Sequence, residues 1–158
     1  MIANGAGDGF GAAAQLLASF ALAESLRTTA APLLLIVDDE PRILSALRRA
    51  LRREAFEIIA VETWREALHA LETLPVDVVL SDHKMPGMTG LEILAAAAER
   101  RPRAVRLLIT GWTESIPDEA IQGVGVRAVI NKPWDDGELK ETLRAALKEV
   151  SQSAGGSA

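Results

Sequence analysis

The sequence predicts an α/β fold built on a parallel sheet, and three observations carry that prediction. Apolar runs of about five residues recur along the chain at Leu33–Val37, Val76–Leu80, Val105–Ile109 and Val126–Ile130. Runs that short and that uniformly apolar suit strands buried on both faces, as parallel strands are. Amphipathic helical spacing separates them, giving a β-α order repeated five times. Each run also ends in polar residues: Asp38-Asp39-Glu40, Asp82, Thr110 and Lys132-Pro133.

The elements follow in order. Leu33–Val37 is the first strand. Pro41 suits a first helical turn, where its missing N–H is not needed, and Ile43, Leu44, Leu47 and Leu51 form an inward stripe. Glu57–Val61 reads as the second strand. Thr63-Trp64-Arg65-Glu66 has the form of a capping box opening the second helix. Val76–Leu80 is the third strand, and Leu91–Arg100 a helix that stops before Pro102. Val105–Ile109 is the fourth strand. A short fourth helix is expected within Thr113–Gln122, around Pro117 and before Gly123 and Gly125. Val126–Ile130 is the fifth strand. Asp135-Asp136-Gly137-Glu138 signals a last helix, lined by Leu139, Leu143, Leu147 and Val150.

Composition bounds the function classes. The chain has 158 residues, 49% of them apolar, which suits one α/β domain with a modest extension. It lacks any uninterrupted apolar stretch of about 18 residues, the length of a membrane span. It has no cysteine, which excludes disulfides and thiolate metal sites and fits a reducing cytoplasm. The net charge of −5 supplies no electrostatic reason for direct nucleic-acid binding.

Residues 1–32 differ in composition. Glycines at 5, 7, 9 and 11 precede an alanine-rich stretch, and Ala12–Leu26 has helical spacing with Leu16, Leu17, Phe20 and Leu26 near one face. The opening lacks the basic residues of a secretory leader. This extension reads as a loosely docked leader or as a helix that packs on a neighbour. Residues 33–150 form the domain, and residues 151–158, rich in Ser, Gly and Ala, read as a flexible tail.

In an open parallel sheet, ligands bind beyond the carboxyl ends of the strands. Asp38, Asp39, Asp82, Thr110 and Lys132 therefore converge on one edge. Three crowded carboxylates need a cation to ionise together. Magnesium, which takes hard oxygen ligands and keeps several waters, suits them. A hydroxyl and an ammonium complete a set able to hold a phosphoryl group.

The motifs L-I-V-D-D-E-P at Leu35–Pro41, L-S-D-H-K-M-P-G-M-T-G at Leu80–Gly90, L-I-T-G at Leu108–Gly111 and N-K-P-W at Asn131–Trp134 occur in that order. Together they resemble the receiver domain of bacterial response regulators, over roughly Leu33 to Val150. The resemblance implies a flavodoxin-like (βα)5 three-layer sandwich with strand order 2-1-3-4-5. It implies Asp82 as phosphoacceptor, with Thr110 and Lys132 contacting phosphoryl oxygens. It implies Mg2+ held by Asp39 and Asp82, by Asp38 largely through water, and by the backbone carbonyl of Lys84. It also implies a cis Lys132–Pro133 peptide. The expected phosphodonor is a sensor histidine kinase or a histidine phosphotransfer protein. Output would pass through a domain outside this chain, a partner contact or a homodimer. Autocatalysed gain and loss of phosphate, rather than enzymatic turnover of another substrate, is the expected activity.

Other residues refine this expectation. Val129 stands three residues before the lysine, where most receivers carry Tyr or Phe, so the family's usual threonine–aromatic rotation is not expected. Trp112, two residues after Thr110, and Lys84 are expected to slow hydrolysis of the acyl phosphate. Trp64 reads as packing for the second helix, and Trp134 as a cap on the last. His83 follows the phosphoacceptor and has no second histidine nearby, since His69 lies in a helix elsewhere. Met85–Gly90 reads as a turn. Arg48, Arg49, Arg52 and Arg53 make a basic stretch on the first helix, where the family docks its phosphodonor. The N-K-P-W-D-D-G-E-L block at Asn131–Leu139 resembles receivers joined to cyclic-dinucleotide phosphohydrolase domains or to hydrogenase-type transcription activators. Two alternatives stand beside the receiver: an interaction module of the same fold that is not phosphorylated, and a phosphoaspartate-type phosphatase. The phosphatase would need an acid two residues past its nucleophile, where Lys84 follows Asp82.

Overall fold

The computed structural model describes residues 15–18, 31–111 and 115–155. The chain divides into two compact units, Met1–Ala31 and Pro32–Ala158. In the first, residues 15–18 are helical, and the rest of the expected Ala12–Leu26 helix lies outside the described residues.

The second unit alternates strand and helix five times: β1 (Leu33–Val37), α1 (Pro41–Leu51), β2 (Glu57–Val61), α2 (Trp64–Thr73), β3 (Val78–Asp82), α3 (Gly90–Arg100), β4 (Val105–Gly111), α4 (Asp118–Val124), β5 (Ala128–Lys132) and α5 (Asp136–Gly155). The five strands form one sheet in the order β2-β1-β3-β4-β5. Every pairing is parallel. This is the flavodoxin-like sandwich with its reversal of strand order beside β1.

Alternation along β1 sorts its side chains between two helical layers. Leu34 and Ile36 join Leu44, Leu47 and Leu51 of α1 and Leu139, Leu143 and Ala146 of α5 in one cluster. The inward stripe read from the sequence is thus the buried face of α1. On the other side α2 and α3 pack on each other and on β1, β3 and β4. Their faces bury Ala67, Ala70, Leu71, Ile93, Leu94 and Ala97. Truncating one such fully buried leucine to alanine costs about 2–5 kcal/mol, so these two layers dominate the stability of the domain.

The caps are local. Thr89 and Glu92 form a complete capping box at α3, with Thr89 N–H donating to Glu92 Oε2 at 2.8 Å and Glu92 N–H donating to Thr89 Oγ1 at 3.2 Å. At α2, Glu66 N–H donates to Thr63 Oγ1 at 3.2 Å, while the Thr63 hydroxyl donates to Glu66 Oε1 at 2.9 Å. At α5, Glu138 N–H donates to Asp135 Oδ1 at 3.0 Å, and Trp134 Nε1 donates to Asp136 Oδ1 at 3.0 Å.

Three expectations shift. β3, β4 and β5 run two residues further than their apolar runs, to Asp82, Gly111 and Lys132. Their backbones keep pairing after the side chains turn polar, with Asp82 opposite Ile109 and Lys132 opposite Gly111. The expected tail at residues 151–158 is helical through Gly155, because Ser, Gln and Ala continue a helix already nucleated at Asp136. α4 is short and follows Pro117 as expected, but it runs from Asp118 through Gly123 to Val124, two residues past the expected end at Gln122, and stops at the left-handed Gly125.

Candidate phosphoryl-transfer site

The polar ends of β1, β3, β4 and β5 meet at the carboxyl edge of the sheet. Asp38 follows β1, and its N–H extends the β1–β2 ladder to the Val61 carbonyl at 3.2 Å. Asp38 is fully buried. Its two oxygens have different partners: Oδ1 accepts from Glu40 N–H at 2.9 Å, and Oδ2 accepts from Lys132 Nζ at 2.7 Å.

Asp82 ends β3 and is 4% exposed. Its Oδ1 accepts the His83 N–H at 2.9 Å and lies 3.2 Å from Lys132 Nζ. Both contacts fall on Oδ1 rather than Oδ2. Lys132 therefore bridges Asp38 and Asp82 from the end of β5, after which the Lys132–Pro133 peptide is cis.

Electrostatics follow from this packing. Burial, reinforced by the neighbouring Asp38 charge, pushes the Asp82 carboxyl up to about 6, against the pull of Lys132 and the His83 N–H. Burial opposes the charged form of Lys132. The Asp38 hydrogen bond and the charges of Asp38 and Asp82 outweigh it and hold the lysine above its ordinary value.

The remaining expected residues sit around this pair. Thr110 is buried near the end of β4, opposite Asn131 and one residue past the Asp82 partner Ile109. Carboxylate oxygens of Asp38, Asp39 and Glu40 lie within 4.8 Å of one another, with Asp39 and Glu40 exposed. Glu40 is thus a neighbouring acid that the expected ligand set omitted. The D-D-E triplet is visible in the sequence, but spacing alone does not bring the Glu40 carboxylate beside those of Asp38 and Asp39. An all-oxygen donor set fits magnesium better than a softer transition metal.

Lys84 is exposed in the loop after Asp82, two residues beyond it. That loop borders an open cavity of about 300 Å³ lined by His83, Lys84, Met85, Thr89, Ser115 and Ile116. Gly90 closes the loop: its N–H donates to the His83 carbonyl at 2.8 Å. A Cβ on Gly90 would stand 2.1 Å from the Asp82 carbonyl oxygen, so only glycine lets α3 start this close to the strand end. Trp112 lies outside the described residues. Val129 is 39% exposed on β5.

Comparison with known proteins agrees with the fold. The response regulator receiver domain model matches residues 34–144. The chain belongs to this family, the receiver domains of two-component response regulators.

Among its relatives is the hydrogenase transcriptional regulatory protein HoxA of Cupriavidus necator, 43% identical over 117 residues, covering 72% of this chain and 24% of HoxA. The transcriptional regulatory protein KdpE of Mycobacterium tuberculosis is 31% identical over 122 residues, 77% of this chain and 54% of KdpE. The chain thus spans about a quarter of the HoxA length and about half of KdpE. The signal receiver domain of an HD domain-containing protein from Pseudomonas fluorescens Pf-5 superposes with TM-score 0.72 at 31% identity, over 77% of this chain and 98% of that one. A CheY-like receiver domain protein from Methanospirillum hungatei JF-1 gives TM-score 0.73 at 29% identity, over 78% and 99%. Among the described residues no helix is long and apolar enough to cross a membrane.

Proposed function

We propose that this domain accepts a phosphoryl group on Asp82 from the phosphohistidine of a sensor histidine kinase or a histidine phosphotransfer protein. The observation that carries the reading is the buried Asp82 carboxylate at the end of β3, with the Lys132 ammonium 3.2 Å from its Oδ1 and 2.7 Å from Asp38 Oδ2. A carboxylate oxygen of Asp82 attacks phosphorus as the P–N bond to the donor imidazole breaks. The imidazole leaves with the electron pair, and an acyl phosphate remains. Attack of water on phosphorus later releases inorganic phosphate and restores the carboxylate.

The protein contributes position and charge more than covalent chemistry. Lys132 pairs with one phosphoryl oxygen, giving up part of its hold on Asp82. Thr110 donates its hydroxyl to another. Asp39 and Asp82, with the Lys84 carbonyl, hold Mg2+, and Asp38 acts largely through water. The metal, when bound, offsets the charge of these acids and of the incoming phosphate. Arg48, Arg49, Arg52 and Arg53 include an exposed basic surface on α1 that would guide an acidic phosphodonor. The state of Asp82 is then read through a partner, a second copy or an output domain outside this sequence, in the cytoplasm.

Incubation with a phosphorylated histidine phosphotransfer domain and MgCl2, then borohydride reduction and peptide mapping, tests the reading. Reduction of an acyl phosphate marks the carboxylate that carried it. The label is expected on Asp82. Label on Asp38 or Asp39, or none on folded protein, would refute the assignment.

A further inference from the structure

The loop from Asp82 to Gly90 is anchored at both ends. His83 is held by its N–H on Asp82 Oδ1 and by its carbonyl on the Gly90 N–H. Thr89 is held by the capping box of α3. Its middle is held by a side chain from another crossover. Gly87 has a φ of +84, and a Cβ built on it would lie 2.4 Å from Trp64 Nε1 and 2.7 Å from Trp64 Cδ1. The edge of the indole therefore rests directly on the Gly87 backbone. Trp64 opens α2 and is itself half-buried, with the Arg65 guanidinium carbon 4.6 Å from its ring centroid. An indole so placed blocks movement of the Gly87 backbone toward it.

We propose that Trp64 is a positioning residue for the phosphoryl-transfer site: by clamping Gly87 it fixes the loop that presents the Lys84 carbonyl to Mg2+. This rests on the reading of the metal site given above. Lys84 lies three residues before the clamp and one after His83, so its carbonyl direction is set between a hydrogen-bonded anchor and a packed one. Groups that orient a metal ligand rather than touch the metal typically govern affinity by 10–100-fold. Trp64 acts at the lower end of that range, because a backbone carbonyl is one ligand among several. Glycine at 87 is required twice, by its positive φ and by the indole.

The test compares wild type with Trp64→Ala and Trp64→Phe, all confirmed folded by circular dichroism at the working temperature. MgCl2 affinity is measured by calorimetry. Amide exchange of residues 84–88 is followed separately in EDTA. The expected result is an affinity about tenfold weaker in Trp64→Ala, largely restored in Trp64→Phe, with faster loop exchange in Trp64→Ala before any metal is added. A role confined to packing α2 would lower the thermal midpoint but leave both readouts unchanged. Wild-type affinity in folded Trp64→Ala would overturn the clamp alone. Failure of the wild type to bind MgCl2 would overturn the metal-site reading and the clamp's role in it.

Discussion

The Lys132 ammonium lies 2.7 Å from Asp38 Oδ2 and 3.2 Å from Asp82 Oδ1, joining the ends of β5, β1 and β3. Asp38 is fully buried and Asp82 nearly so. Two carboxylates taken out of water repel each other, and one cation between them offsets that cost. The same geometry places the cation beside the oxygen atoms proposed to receive phosphate. Stability and chemistry therefore draw on the same three side chains.

Lys132→Met should destabilise the domain strongly, by about 3 kcal/mol at pH 8 in EDTA, because it leaves two buried carboxylates without their cation. The loss should be smaller at pH 5, where a carboxyl can take up a proton instead. Urea unfolding at the two pH values measures both. Equal losses at each pH would mean that the lysine acts through packing rather than charge.

Asp82 should make the metal-free domain less stable as pH rises. Its carboxyl is pushed from 3.8 to about 6 on folding, so between those values the folded state binds more protons than the unfolded state. Stability therefore falls with rising pH through that window, by at most about 3 kcal/mol. Asp82→Asn should flatten this dependence and be the more stable protein at pH 7.5 in EDTA. Denaturant midpoints from pH 4 to pH 8 give the comparison. A wild-type stability that rises through the window would contradict it.

Gly90→Ala should be among the costliest single substitutions. The new methyl would lie 2.1 Å from the Asp82 carbonyl oxygen and 2.9 Å from His83 Cα, both backbone atoms that cannot swing aside. A loss of about 3 kcal/mol or more is expected from such overpacking, with any folded fraction impaired in phosphate uptake. Thermal unfolding and a phosphorylation assay read the two effects. Near-native behaviour in both would show that α3 can retreat from the strand end.

Thr89→Ala removes one half of the capping box and leaves an N–H of the first turn of α3 without its acceptor. The expected cost is about 1 kcal/mol, with exchange quickened at Glu92 and in the loop before it. Denaturation and amide exchange together separate a frayed turn from a global loss.

Much of this was legible in the sequence because it depends on local pattern. The apolar run Leu33–Val37 bounds β1, the segment Glu57–Val61 matches β2, and the stripe Leu44, Leu47, Leu51 marks the buried face of α1. The apolar runs stop two residues short of the ends of β3, β4 and β5, because hydrophobicity ends before backbone pairing does. The T-x-x-E signature at Thr89–Glu92 was present but hidden by Gly90, which suggested a break rather than a first helical residue. Contacts between distant residues were not legible. That Lys132 settles on Asp38 as well as Asp82 depends on strand order and on the rotamer of a long side chain. That Trp64 rests on Gly87 depends on how two crossovers lie over one sheet edge, and spacing alone could assign the indole only to its own helix.

Asp82 should take up phosphate only with a divalent cation present. Intact mass after incubation with MgCl2 and a small-molecule phosphodonor tests it most directly, with wild type, Asp82→Asn and an EDTA control side by side. A single phosphoryl adduct is expected on wild type with magnesium and none on Asp82→Asn or in EDTA. An adduct on Asp82→Asn, or none on folded wild type shown to bind magnesium, would contradict it.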